Sequence, residues 1–95
     1  MVRDGATFIM NGGEIYGNSA FGVHIRDENS RFEKTGGVIF GNVFGDKSNP
    51  AAIRVFDNDG ELLAYREDTV TDTLSITLNS TGNGVASKTG NWNTP

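Results

Sequence analysis

Cysteine is missing from the chain altogether. That excludes disulfide staples and thiolate metal sites and leaves the redox compartment open. No apolar run approaches the roughly 18 residues that read as a membrane-spanning helix. The opening Met1-Val-Arg-Asp-Gly5 leads into no apolar segment either, so neither a signal peptide nor a transmembrane span is expected within these residues. Basic residues are few, 8 against 12 acidic ones, for a net charge of −4. With no basic stripe to displace counterions from phosphates, nucleic acid is not an expected partner. The charge is nevertheless too mild to imply disorder. Runs of Ala, Leu, Glu and Lys at helical spacing are absent, and proline occurs twice.

What the chain has in quantity is turn chemistry: 13 glycines, 10 asparagines and 9 threonines among 95 residues. This is the composition of many short strands joined by tight turns. The length implies a single domain over residues 1–95, with a thin core.

An eleven-residue phrase occurs twice, as Phe8-Ile-Met-Asn-Gly-Gly-Glu-Ile-Tyr-Gly-Asn18 and as Phe32-Glu-Lys-Thr-Gly-Gly-Val-Ile-Phe-Gly-Asn42. Six of the eleven positions match at an offset of 24 residues, a period typical of stacked repeats. A third short strand recurs at an offset of 30, setting Val23 over Ile53, Ile25 over Val55 and Asp27 over Asp57. The six additional residues fit an enlarged surface loop at Phe44-Gly-Asp-Lys-Ser-Asn-Pro50. After Leu63 the phrase decays. One alternating strand returns at Thr73-Leu-Ser-Ile-Thr-Leu78, and the tail to Pro95 holds Val85 and Trp92 as its large apolar residues.

Strands this short cannot bury an apolar face alone. If equivalent strands lie over one another, backbone groups pair in a parallel ladder and like residues stack inside: Phe8 on Phe32, Ile15 on Ile39, Val23 on Ile53. The expected fold is therefore all-β: a short right-handed parallel β-helix of two to three coils over residues 5–63. Residues 64–95 are expected to form an irregular, atypical C-terminal cap and tail. The alternative is a small antiparallel β-sandwich, kept open by hairpin turn signals such as Asn58-Asp-Gly60.

Gly12-Gly-Glu-Ile15, Gly36-Gly-Val-Ile39 and Phe8-Ile-Met-Asn11 resemble the right-handed parallel β-helix repeats of bacterial surface and adhesin-like proteins, including the polymorphic outer-membrane proteins. The second Phe-x-x-Asn departs from the pattern, because Thr35 replaces Asn and Lys34 stands at the inward position of Met10. The resemblance implies a structural vehicle and no particular reaction.

Candidate sites are sparse. Tyr16 and Phe40 align on the outward side, and Phe21, Phe44 and Phe56 also fall on outward or loop positions. Together they suggest a glycan-stacking or protein-contact surface, or one simply covered by the tail or a second chain. His24, on the outer face with Arg54, has no second His and no nucleophile beside it, and reads as a solvated surface residue. Asp27 and Asp57 would stack about 5 Å apart and repel. Calcium between them would relieve this, as would Arg26 or solvent. No other cofactor is suggested. Asp57-Asn-Asp-Gly60 lacks the carboxylates of a calcium loop and reads as a turn.

The expected function is a non-enzymatic structural or binding module of a bacterial surface or adhesin-like protein. It would present a β-helical face to a protein partner or polysaccharide, and would lie extracellularly or at the cell surface if part of a larger exported protein. The alternative is an end fragment of a β-helical polysaccharide lyase or hydrolase. Open strand edges, or the aromatic patch, should also drive homo-oligomerisation.

Overall fold

Alternation of apolar and polar residues between turns containing Asn and Gly produces seven strands among the described residues, and the Gly-Gly pairs lie inside two of them rather than between strands. The structure is a computed structural model describing residues 1–18, 22–40, 52–67 and 71–95. The strands are β1 (Thr7–Tyr16), β2 (Val23–Ile25), β3 (Arg31–Phe40), β4 (Ile53–Phe56), β5 (Leu62–Arg66), β6 (Leu74–Leu78) and β7 (Val85–Thr89). They form a four-stranded sheet in the order β1-β3-β6-β7 and a three-stranded sheet in the order β2-β4-β5. The fold is all-β.

The repeat registers appear as parallel pairs. β1 lies parallel to β3 with Phe8 opposite Phe32, Ile15 opposite Ile39 and Tyr16 opposite Phe40. β2 lies parallel to β4 with Val23 opposite Ile53 and Ile25 opposite Val55. The Phe8 and Phe32 rings pack 5.6 Å apart in a tilted arrangement, and the N-terminal Val2 bridges in parallel to Ile25.

Beyond these two pairs the chain reverses, and this overturns the parallel β-helix. β5 is antiparallel to β4, β6 is antiparallel to β3, and β7 is antiparallel to β6. Both sheets are therefore mixed, and no closed coil is formed. The cause of one reversal is local. Asp57 Oδ1 accepts hydrogen bonds from the amides of Asp59 (2.8 Å) and Glu61 (2.9 Å), and Gly60 takes a φ of +82° that glycine adopts without penalty. This turn sends β5 back along β4. A second Asn/Gly turn joins β6 to β7, with the Asn79 amide bonded to the Gly84 carbonyl. Two sheets facing one core agree with the sandwich-like alternative.

The core lies between the sheets. Phe32, Ile39, Leu74, Ile76 and Leu78 from the first meet Ile25, Ile53, Val55 and Ala64 from the second, all essentially inaccessible to solvent. Residues 74–78 thus belong to the core itself. Polar residues are buried too, Ser30 and Arg54 among them, and Lys34, opposite Met10, is fully inaccessible. Its Nζ donates to the Asp72 carbonyl at 2.6 Å and lies 3.4 Å from the Asp72 carboxylate, which Arg66 also holds at 3.0 Å. A buried ammonium is tolerated when it is paired and hydrogen-bonded in this way.

Candidate binding edge

The phrase that begins the repeat builds an edge with apolar residues on both faces. β1 terminates the four-stranded sheet, and its neighbour strand among the described residues is β3. Phe8, Met10 and Ile15 point inward onto the core. Ile9 and Tyr16 point outward and are 53% and 61% exposed. With Phe40 on β3 and Met1 at the N-terminus, they are the large apolar side chains that the described residues leave exposed.

The rings of Tyr16 and Phe40 stack at 5.1 Å with an interplanar angle of 13°. That spacing is close to the ~4.8 Å step between neighbouring strands, so the two rings form a column running across the sheet. On the inner side, Phe8 and Ile15 of β1 and Val23 and His24 of β2, with Met1 and Val2, line an open cleft of about 370 Å³.

The glycine pairs of the two copies differ in surroundings. Asn11 opposes Gly36 across a register shift in β1, and the Thr35 hydroxyl donates to Asn11 Oδ1 at 2.7 Å. A Cβ at Gly36 would fall 2.5 Å from the Asn11 carbonyl oxygen; one at Gly37 would fall 2.7–2.9 Å from Met10, Gly12 and Gly13. At Gly12 and Gly13 a Cβ would meet nothing within 4 Å. Gly13 and Gly37 share a left-handed backbone, with φ of +87° and +92°.

The other sequence-predicted residues are dispersed. Phe56 lies on the three-stranded sheet, away from the Tyr16–Phe40 column, edge-on to His24 at 4.7 Å. Phe21 and Phe44, with the loop around Phe44, fall outside the described residues. Burial, with the positive charges of Arg26 and the N-terminus, holds His24 below its ordinary pKa against the opposing pull of Asp27.

Asp27 and Asp57 are each engaged locally. Asp27 is approached by Arg26 Nε at 3.3 Å, Arg3 Nε at 3.5 Å and the Asp4 amide at 3.3 Å. Desolvation pushes its pKa up, but the Arg26 and Asp4 hydrogen bonds outweigh that and leave it lowered. Asp57 is engaged by the amides of its own turn. Among the described residues no three His, Asp or Glu side chains gather as a metal-binding group.

The sequence reading did not single out Ile9 or the contrast between Gly12 and Gly36. It set His24 beside Arg54, as the pairing shows, but did not anticipate Tyr65, which extends that row across the second sheet. There the Arg54 guanidinium lies 4.8 Å from the centre of the Tyr65 ring. A signal for Ile9 existed in its outward place in the alternation; Tyr65 had no repeat partner to place it.

No described helix is long and apolar enough to cross a membrane. Compared with known proteins, the chain matches no family model, no curated protein and no solved structure.

Proposed function

We propose that this protein is a non-enzymatic binding module that engages a protein partner along β1. The observation that carries the proposal is that the edge strand β1 exposes Ile9 and Tyr16 on its outer face, with Phe40 stacked on Tyr16, while Phe8 and Ile15 line a cleft on its inner side. A ten-residue edge strand is a template for pairing with another chain, because backbone donors and acceptors line its outer side. Exposed apolar patches mark contact surfaces for the same reason that cores form: covering them releases ordered water. The edge also lacks the usual guards of proline and lysine, and within β1 the one charged residue is Glu14.

Such an edge recruits available strands, including those of other copies. Sedimentation equilibrium over a range from micromolar to millimolar concentration should show the wild type self-associating, and the double variant Ile9→Lys/Tyr16→Ser remaining monomeric. A wild-type protein that stays monomeric throughout, or a variant that associates equally, contradicts the proposal.

A further inference from the structure

Resting on β1 as a binding edge, we infer that its preferred occupant is a partner strand that runs parallel to it and carries the same phrase: a large apolar residue, Gly-Gly, an aliphatic residue and an aromatic one. The edge of β3 already receives a strand of that kind. β1 sits on it parallel, Phe8 on Phe32, Ile15 on Ile39 and Tyr16 on Phe40. At an offset of 24, β1 repeats the phenylalanine, the glycine pair and the isoleucine that β3 offers, with Tyr16 standing for Phe40, while Ile9, Met10 and Glu14 replace Glu33, Lys34 and Val38.

The glycines sharpen this into a stereochemical argument. At Gly36 the missing side chain makes room for the Asn11 carbonyl of the strand above. Gly12 is the equivalent residue one strand up, and nothing described comes within 4 Å of the place its Cβ would occupy. The left-handed φ of Gly13 accounts for a glycine there, whereas the space around Gly12 would accept a side chain. A strand docked on β1 as β1 docks on β3 would bring its own carbonyl over Gly12. The aromatic column points the same way. Tyr16 covers one face of Phe40, is itself the more exposed of the two, and stands one strand step short of where a third ring would continue the stack.

A folded second copy does not supply this strand. Two β1 edges related by a two-fold axis run antiparallel, which carries each Tyr16 away from the other. The opposite sheet edge, β7, reads Val85-Ala-Ser-Lys-Thr89 and has neither glycine nor aromatic residues. The inferred occupant is therefore an extended segment of a partner protein.

The test uses the full chain and a synthetic peptide of its own residues 6–18 as the probe. Saturable binding is expected, together with dissociation of any self-associated protein. Gly12→Val in the full chain should weaken peptide binding about tenfold or more without lowering the thermal midpoint, and Gly12→Ala should do so to a smaller degree. A peptide with Tyr16→Ser should bind more weakly than the parent. A nitroxide at the peptide N-terminus should broaden amide signals near Thr7 rather than near Tyr16. No saturable binding up to the solubility limit, binding indifferent to Gly12→Val, or broadening near Tyr16 overturns the inference. Self-association without peptide binding would leave β1 as a contact edge while eliminating the repeat-bearing strand, so the two failures are distinguishable.

Discussion

Gly36 of β3 lies beneath the carbonyl of Asn11 in β1, so close that a Cβ on Gly36 would come within 2.5 Å of the oxygen. The two strands can approach only because that side chain is missing. Gly36→Ala must push the backbones apart or shift the register, with an expected loss of about 1–3 kcal/mol, the usual range for overpacking. Gly12→Ala meets open space and should change stability by less than about 0.5 kcal/mol. Urea unfolding midpoints of the two variants, compared with the wild type, check the difference.

The Lys34–Asp72–Arg66 group gives an asymmetric prediction. Replacing Lys34 by Met, the residue that the other copy carries, leaves Asp72 paired with Arg66 and fills the same space. Stability should then change by less than about 1 kcal/mol, since buried ion pairs are often no better than well-packed apolar residues. Asp72→Ala instead removes the carboxylate that both Lys34 and Arg66 face and should lose about 2 kcal/mol or more. The reverse ranking in chemical denaturation would contradict this arrangement.

Acid should weaken the fold in two windows. His24 has a lowered pKa through burial and the charges of Arg26 and the N-terminus. The unfolded chain therefore takes up a proton first, and stability falls as pH drops below about 6.5. Asp72 is lowered although burial opposes it, because the Arg66 hydrogen bond and the charges of Arg66 and Lys34 prevail. Its contribution is present above its unfolded-state pKa and is lost as pH falls below about 4; Asp27 acts in the same direction. Thermal midpoints measured across both windows should show that His24→Gln flattens the upper one and Asp72→Asn the lower.

Trp92 fastens the C-terminal segment to the sheets. Its indole N–H lies 3.1 Å from the carbonyls of both Ser75 and Thr89, while the neighbouring Asn93 exchanges backbone hydrogen bonds with Tyr65 of the other sheet. Trp92→Phe keeps most of the packing but loses the donor, and should cost about 1 kcal/mol. Trp92→Ala should cost about 2–3 kcal/mol, below the range for a fully buried Trp because this one is only half-buried. Circular dichroism melting distinguishes the two.

The parallel half of the fold was legible because like residues repeat at a fixed offset. Phe8 with Phe32 and Ile15 with Ile39 can both stack only if their strands run the same way. The antiparallel half was not, because alternation such as Leu74, Ile76, Leu78 specifies a buried face but no direction. Direction is fixed by the turns. The turn at Asn58-Asp-Gly60 was visible in the sequence as a hairpin signal, yet the repeat on either side of it argued for continued coiling. At the candidate edge, the Tyr16–Phe40 pair followed from the register, whereas the separation of Phe56 followed from a two-sheet arrangement that the repeat does not encode. Lys34 stood out as a mismatch to Met10, but its partner Asp72 lies 38 residues away with no pattern connecting them.

Amide hydrogen exchange, resolved by residue in dilute monomeric protein, tests most directly whether β1 is an open edge. The account predicts that alternate amides within residues 7–16 exchange nearly as fast as in an unstructured chain. Those of Phe32–Lys34, bonded between β1 and β6, should be strongly protected. Uniform protection along β1 in the monomer would mean that the edge is already occupied, and would contradict the account.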